Sequence, residues 1–412
     1  MTLQSNVRVT IAYAEESAFG VAASTAGRFI RRVKSNLGTK KESFQSNEIR
    51  PDQQVYDMRH GMRKAEGSVE GELSLLTWDD WFAGLLRSTW ATGVSKTQAQ
   101  LGDVTAGATL SKFVFANSAA LEGFRVGDVL RFAAGMPASI LNKNYRIINI
   151  STDGKTVFTY PAPGETVSTP VTTYTVKVYG KKILCGQTQR SYTIEQRYPD
   201  VDMSELFTGC RIGSCAISIK PNGMVTVNWG ILGKDGTLLS GANSPYFAAP
   251  DAAYATGIFS GVNGSMRLGI PGVAESEAAI VTSVDMTIDN GLQSEGVIGA
   301  STAPDVFYGQ LTVKGSMSVY LSDRTVFDAF LLEQDMALVI QLDLPGGVAG
   351  SADDFIVFKL PRIKLSDATK DVAAEGGVIV TYPFQALITP TDNLARDEAT
   401  IAIQRSVASI DT

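Results

Sequence analysis

Side chains that support catalysis are scarce in this sequence. Among 412 residues it has one histidine, His60, and three cysteines, Cys185, Cys210 and Cys215. A Ser/His/Asp or Cys/His centre would need His60 as its base, yet His60 lies in a polar segment far from any structured nucleophile. A tetrahedral zinc site would need most of these side chains together. The sequence therefore predicts no catalytic residue, no metal site and no cofactor, and it predicts free thiols, as in a reducing compartment.

Long apolar runs and phosphate-binding loops are also missing. No apolar stretch approaches the roughly 20 residues of a membrane-spanning helix. The N-terminal residues MTLQSNVRVT contain no apolar signal-peptide core, and Gly-rich segments such as Gly376-Gly377 lack the strand–loop–helix setting of a phosphate site. We therefore expect a protein that is soluble and cytoplasmic at synthesis, without a membrane partner.

Charged residues make up only 19% of the chain, and they are unevenly distributed. Residues 1–65 contain 11 Lys and Arg against 6 Asp and Glu, whereas residues 245–412 contain 9 against 21. A basic N-terminal region and an acidic C-terminal region suit head-to-tail self-association, although an ordinary solvated surface would explain the same distribution. The pI of about 5.1 argues against a conventional DNA-binding protein.

Alternation of polar and apolar residues dominates the chain and predicts a mainly β, antiparallel protein. Two helices interrupt the alternation, over residues 77–90 and 323–334. Thr77 is the predicted N-cap of the first helix, and Ser322 or Asp323 that of the second. The aromatic stripes of both helices are predicted to pack in the core rather than to hold a cofactor.

The two helices lie in the same sequence context, which predicts an internal duplication. The segment SVEGELS at residues 68–74 aligns with TVKGSMS at residues 312–318, and each runs directly into its helix. The predicted organisation is a first β domain over 1–96 and 184–240, an inserted small β-barrel or sandwich over 97–183, a linker over 241–259 and a second β domain over 260–412.

Several segments of the first copy resemble the tail tube (major tail) proteins of long flexible-tailed bacteriophages. They are AYAEESAFG at residues 12–20, EIRPD at 48–52, GSVEGELS at 67–74 before an aromatic-rich helix, and SCAISIKPNGMVTVNWGILG at 214–233. The resemblance covers residues 10–95 and 185–240, and in the second copy it lies in the order of the elements more than in the residues.

The resemblance implies a tail-tube fold with two packed antiparallel sheets and one flanking helix, and the duplication predicts two such folds in this chain. The inserted domain follows the first helix, which is expected to cover a sheet face, so we expect this domain to face outward. It implies a virion protein, assembled in the host cytoplasm, whose subunits join their sheets around a ring and stack into a DNA-conducting tube. Because single-domain members of the family usually close as hexamers, two copies per chain predict rings of three chains. The implied partners are further copies of this chain and the tape measure, tail terminator and distal tail proteins, while phage DNA passes through the lumen without specific binding.

Two sets of residues are candidate sites of such a subunit. The polar halves of the two aligned strands are candidates to face the lumen: Ser68, Glu70, Glu72, Ser74, Thr312, Lys314, Ser316 and Ser318. The polar segment over residues 38–66 is predicted to be a long loop, mobile in the free subunit and ordered between stacked rings. Its candidate contact residues are Lys40, Lys41, Glu48, Arg50, Asp52, Arg59, His60 and Arg63.

Two other functions remain open at this stage. A β-rich carbohydrate-binding or adhesin module would use the inserted domain as its binding part. A β-sandwich hydrolase would use a carboxylate pair such as Asp79 and Asp80. Either of these proteins would remain monodisperse in solution, whereas a tube protein would polymerise.

Overall fold

The computed structural model describes residues 3–24, 26–118, 122–269, 276–277, 281–321, 324–344, 353–372, 376–389 and 395–406. The protein is mainly β, as predicted, and its strands form a large sheet and a separate smaller one. Both sheets are antiparallel, so residues that pair across neighbouring strands point to the same face.

The bounds of the elements are as follows. The N-terminal part contains β1 (Thr10–Glu15), β2 (Arg28–Phe29), β3 (Lys34–Ser35), β4 (Gly38–Gln45), β5 (Met58–Glu72), α1 (Asp79–Leu86) and β6 (Ala91–Thr92). The next part contains β7 (Ser95–Thr97), α2 (Gln98–Leu101), β8 (Val104–Gly107), β9 (Lys112–Phe115), β10 (Val129–Ala134), β11 (Tyr145–Ile150), β12 (Thr156–Tyr160), β13 (Val167–Val171) and β14 (Thr175–Val178). It is followed by β15 (Lys181–Leu184), β16 (Tyr192–Tyr198), β17 (Met203–Ile219), β18 (Thr226–Gly233) and β19 (Asp235–Ser240). The C-terminal part contains β20 (Gly264–Gly269), β21 (Ser276–Glu277), β22 (Val281–Asp289), β23 (Thr312–Tyr320), α3 (Thr325–Leu331), β24 (Met336–Asp343), β25 (Phe355–Leu365), β26 (Thr369–Asp371), β27 (Ile379–Ala386) and β28 (Ala402–Arg405).

The strand pairings repeat along the chain. In the first half, β1 pairs with β16, β16 with β17, β17 with β18, β18 with β5 and β5 with β3. In the second half, β20 pairs with β24, β24 with β25, β25 with β27, β27 with β23 and β23 with β22. We call β1–β5, α1 and β16–β19 repeat 1, and β20–β28 with α3 repeat 2. The same connections in the same chain order make the two repeats copies of one fold.

The two repeats join through β17 and β22. Ser214 pairs with Asp289 at one end of this contact, and Ile219 pairs with Val284 at the other. Eight strands therefore follow one another in the order β3–β5–β18–β17–β22–β23–β27–β25. We call this series the shared sheet and the β17–β22 contact the internal junction; each repeat contributes four of the eight strands.

An aromatic cluster packs α1 onto the apolar face of the shared sheet. The ring of Trp229 on β18 lies 5.5 Å from that of Trp78, 5.6 Å from Trp81 and 4.9 Å from Phe82. Phe82 also lies 6.1 Å from Phe358 of repeat 2, and the buried residues of both repeats form one continuous core. The aromatic stripe of α1 is thus buried, as predicted. The prediction is wrong for part of α3, where Phe327 and Phe330 are only partly buried and Leu331 is exposed.

Both helices are shorter than predicted. Helix α1 spans Asp79–Leu86 because Arg87 adopts a left-handed conformation (φ 52°), which ends the helix. Thr77 does not cap it; the Thr77 hydroxyl accepts a hydrogen bond of 2.7 Å from Ser74. Helix α3 spans Thr325–Leu331, and its predicted caps, Ser322 and Asp323, lie outside the described residues.

The segment predicted as a linker, residues 241–259, packs against repeat 1. Phe247 and Phe259 are buried. The Phe259 N–H donates to the Leu73 carbonyl oxygen at 2.9 Å, and the Val225 N–H donates to the Phe259 carbonyl oxygen at 2.9 Å. This segment connects the repeats as part of the core structure rather than as a free spacer.

The inserted part forms its own sheet around its own core. Strands β7–β14 make up the smaller sheet, and rings of strands that are not neighbours meet inside it, such as Phe113 and Phe132 at 4.7 Å. Its two ends leave the large sheet side by side, since β6 pairs with β15 and the Gly93 N–H donates to the Gly180 carbonyl oxygen at 3.0 Å. The smaller sheet spans residues 95–178, because β15 already pairs with β28 of repeat 2.

A buried ion cluster fixes this inserted sheet against β15 and repeat 2. Lys182 of β15 lies 2.9 Å from Asp128 and 2.6 Å from Asp397, and Lys359 of β25 contacts the same two carboxylates. Burial alone would raise the pKa of Asp397, but the two ammonium groups outweigh it and lower this pKa to about 2. Asp397 therefore stabilises the fold above its unfolded pKa of about 3.9, and this contribution is lost as the pH falls towards 2.

We expect Asp128→Asn to destabilise the protein by roughly 3 kcal/mol, because two buried ammonium groups would then share one carboxylate. Urea unfolding of the whole chain measures the change. Glu165→Gln is the matched control, since Glu165 is an exposed carboxylate in the same inserted sheet and should shift the free energy of unfolding by less than about 0.5 kcal/mol. Equal effects of the two substitutions would show that the cluster does not hold the insert in place.

Candidate assembly surface

The face of the shared sheet opposite the aromatic cluster is polar and open to solvent. One row of paired residues crosses it from strand to strand: Glu70, Asn228, Ala216, Thr287, Lys314, Gln385 and Lys364. The neighbouring row is buried on the other face of the sheet. It consists of Val69, Trp229, Cys215, Ile288, Val313, Ala386 and Ile363. One polar surface thus extends without interruption over both repeats.

Seven of the eight candidate lumen residues lie on this polar face: Ser68, Glu70, Glu72, Thr312, Lys314, Ser316 and Ser318. The prediction for Ser74 is wrong. Ser74 is buried, because the regular alternation ends at β5 and the Ser74 hydroxyl turns inward to Thr77 at the start of the helix.

Charges of both signs alternate over the polar face. The carboxylates Glu70, Glu72, Asp285 and Asp289 are exposed or partly exposed there. Lys34 lies 3.9 Å from Glu70, which balances part of its charge. A surface of mixed charge attracts phosphate groups less strongly than a uniformly basic surface would.

The prediction of a long loop over residues 38–66 is wrong. Strands β4 and β5 form an antiparallel hairpin there, in which Gly38 pairs with Glu66 and Gln45 with Met58. Both faces of the projecting part contact water, so its residues show no polar–apolar alternation that would indicate a strand. At about 3.4 Å per residue, the hairpin extends roughly 25 Å beyond the shared sheet.

The candidate inter-ring residues are distributed along this hairpin. Lys40 and Lys41 lie on β4, Arg59, His60 and Arg63 lie on β5, and Glu48, Arg50 and Asp52 lie in the connecting tip. Within the chain they form ion pairs, such as Lys40 with Glu66 at 3.3 Å and Arg63 with Asp235 at 2.7 Å. The hydrogen bond from Lys64, with Lys40 nearby, lowers the pKa of Glu66.

Exposed apolar side chains near the tip were not among the predicted contact residues. They are Phe44, Ile49, Val55, Tyr56 and Met58. Phe44 and Ile49 are isolated among polar residues in the sequence, whereas Val55, Tyr56 and Met58 lie close together, and the pairing of β4 with β5 brings all five to one end of the hairpin. A projecting hairpin with an apolar tip suits a contact with another protein surface.

A second set of contacts surrounds the internal junction, where residues 290–309 of repeat 2 lie on repeat 1. The Asn290 side chain donates to the Leu85 carbonyl oxygen of α1 at 2.6 Å, and its backbone N–H donates to Gly213 at 2.9 Å. The buried Arg211 pairs with Asp305 at 2.9 Å. These residues are distant in the sequence, and no local motif marks them as partners.

The cysteines are free thiols, in accordance with the prediction. Burial raises the pKa of Cys210 and of Cys215 well above the usual thiol range, so both stay protonated and unreactive. Within the described ranges, no group of three potential ligands is placed to hold a metal ion. None of the described helices is long and apolar enough to cross a membrane.

The fold and this surface define a mainly β protein with a continuous polar sheet face and a projecting hairpin. The Phage tail tube protein family matches residues 6–386, which is nearly the whole chain, and the protein belongs to this family. It is therefore a structural subunit of a phage tail and a component of the virion, and it assembles into a tube with other tail proteins. A search of curated proteins finds no significant match. The adhesin alternative gains no support.

We expect backbone amides over residues 39–57 to exchange quickly with solvent in the free chain and slowly in assembled tubes. Arg63 at the base of the hairpin still bonds to Ser301 and Asp235. Beyond it, the two described strands pair only with each other, so local opening should cost little free energy until another subunit covers the hairpin. Hydrogen–deuterium exchange with mass spectrometry measures this. Residues 68–72 of β5 serve as the internal control, because β18 and the core protect them in both states. Equal protection of the hairpin in both states would contradict a role in assembly.

Proposed function

We propose that three chains close into a ring with six repeats around the lumen, and that such rings stack into the tail tube. The internal junction carries this proposal, because in it β17 of one repeat already pairs with the first edge strand of the next repeat. The resemblance to hexameric tube proteins sets the number of repeats at six. Closure of the series around a ring would remove the open edges at both ends of the shared sheet.

The polar face of the shared sheet would line the lumen. Support comes from its continuity over both repeats and from the exposure of Glu70, Thr287 and Lys314 on it. DNA would then pass along a surface of mixed charge and hydroxyl groups without being bound specifically.

The inserted sheet would lie on the outside of the tube. Support comes from its docking site on repeat 2, where Val129 packs against Val339, Phe355 and Val357. On the same strand, Phe358 points into the main core, so the insert covers a face that is turned away from this core. The hairpin formed by β4 and β5 would reach the neighbouring ring.

The role of the chain would be structural, without catalysis or a cofactor. Its tape measure, terminator and distal tail partners would meet the same ring surfaces that other copies of the chain meet within the tube. The basic N-terminal region and the acidic repeat 2 offer charge complementarity for contacts between chains, and added salt should weaken it.

Native mass spectrometry of isolated rings tests the stoichiometry. We expect rings of three times the 44.0 kDa chain mass, in samples that also form tubes by negative-stain microscopy. The same preparation at high salt is the comparison, and it should contain more free chains. Rings of six chains would contradict the proposal, and so would a protein that remains a single chain at high concentration and low salt.

A further inference from the structure

The shared sheet has two open ends in the described part of the chain. At one end, no strand pairs with β3 on the side away from β5. At the other end, β24 covers β25 only as far as Ile363, so residues 364–367 have no strand partner on the side away from β27. An open strand edge presents unpaired backbone groups that can bind another strand. The two ends are therefore candidates for contact between copies of this chain.

In the internal junction, two repeats connect at such edges. Because the strand pairings within the two repeats correspond, the register of this junction can be applied to the open ends. Val69 pairs with Trp229, and Trp229 pairs with Cys215. In repeat 2, Val313 pairs with Ala386, and Ala386 pairs with Ile363. Cys215 and Ile363 therefore hold equivalent positions in the two repeats. In the same way Ser35, paired with Val69, is equivalent to Ile288, paired with Val313.

Cys215 pairs with Ile288 inside the chain. The equivalent contact between chains is therefore Ile363 with Ser35, and it places Lys364 opposite Lys34 and Leu365 opposite Val33.

Exposed apolar residues lie where this contact would cover them. Val33 is 63% exposed, whereas the side chain at its equivalent position in repeat 2, Met286, is 2% exposed because the internal junction covers it. Leu331 and Leu332 at the end of α3 are 61% and 66% exposed, whereas Leu85 and Leu86 at the end of α1 are buried. The leucines at the end of the helix are thus exposed in repeat 2 and buried in repeat 1.

A groove of about 350 Å³ separates the end of α3 from the end of β25. Phe330, Leu331, Lys364 and Leu365 are among its lining residues. In repeat 1 the corresponding end of α1 is covered by Asn290 of the neighbouring repeat, which bonds to the last turn of the helix. In repeat 2 the groove is uncovered among the described residues, and a second copy paired along residues 364–367 would lie beside it.

Charge is compatible with this register. Asp367 would lie opposite Arg31. Lys34 and Lys364 would face each other, but each has a carboxylate of its own chain nearby, Glu70 at 3.9 Å and Asp335 at 3.8 Å respectively. These carboxylates reduce the repulsion between the two ammonium groups.

We propose that residues 362–367 of one copy pair antiparallel with residues 31–36 of a second copy, in the register of the internal junction. The proposal rests on the proposed function, since it specifies the contact that closes the ring. It makes every junction around the ring structurally alike, whether the two repeats belong to one chain or to two.

Disulfide formation between cysteines placed at this contact tests the register. In the variant Lys34→Cys with Lys364→Cys, the two thiols would lie directly opposite each other on the polar face, within the range for a disulfide. In the matched control, Lys34→Cys with Ser366→Cys, both thiols lie on the same face, but they are displaced by two residues. Positions 34, 364 and 366 are at least partly solvent-accessible, so the substitutions should leave the fold intact, and circular dichroism checks this.

After mild oxidation of assembled protein, we expect at least tenfold more covalently linked chains in the first variant than in the control, by non-reducing gel electrophoresis. Dilute, unassembled protein should show no difference. Tubes that form normally while the control crosslinks as well as the first variant, or while neither crosslinks, would overturn this register and leave the proposed function standing. A wild-type chain that forms no rings or tubes would overturn both.

Discussion

The pairing of β17 with β22 is the contact on which the rest of this structure depends. It extends the sheet of repeat 1 directly into the sheet of repeat 2, so that eight strands share one apolar face and one polar face. The apolar face is covered by a core that includes residues of both repeats, with Phe82 against Phe358 as one contact across it. The two repeats are consequently not independent domains joined by a linker.

This continuity also explains the positions of the other parts. Residues 241–259 can pack tightly because the repeats they connect are already adjacent. The inserted sheet enters at β6 and β15, and Asp128 binds Lys182 of β15 and Lys359 of repeat 2, which orients the insert against repeat 2. The polar face stays free because the core, α1 and the insert all lie elsewhere.

Much of this architecture could be predicted from the sequence, because it depends on local alternation. The repeated strand-to-helix segments at 68–74 and 312–318 indicated the duplication, and the composition of 97–183 indicated a separate β insert. The sequence of the β4–β5 hairpin does not indicate strands, since strands that contact water on both faces carry no apolar period. Nor does it show that Ser74 is buried, because the alternation ends with β5 before α1 begins. The Arg211–Asp305 pair and the cluster around Lys359 join residues far apart in sequence, so only the folded chain shows them.

The central claim is that the tube repeats the internal junction around its circumference. A helical reconstruction of assembled tubes by cryo-electron microscopy tests it most directly. We expect threefold symmetric rings with six closely similar sheet segments, the face containing Glu70 and Lys314 towards the lumen and the inserted sheet outside. A ring of six chains, or a lumen lined by the inserted sheet or by the hairpin of β4 and β5, would contradict it.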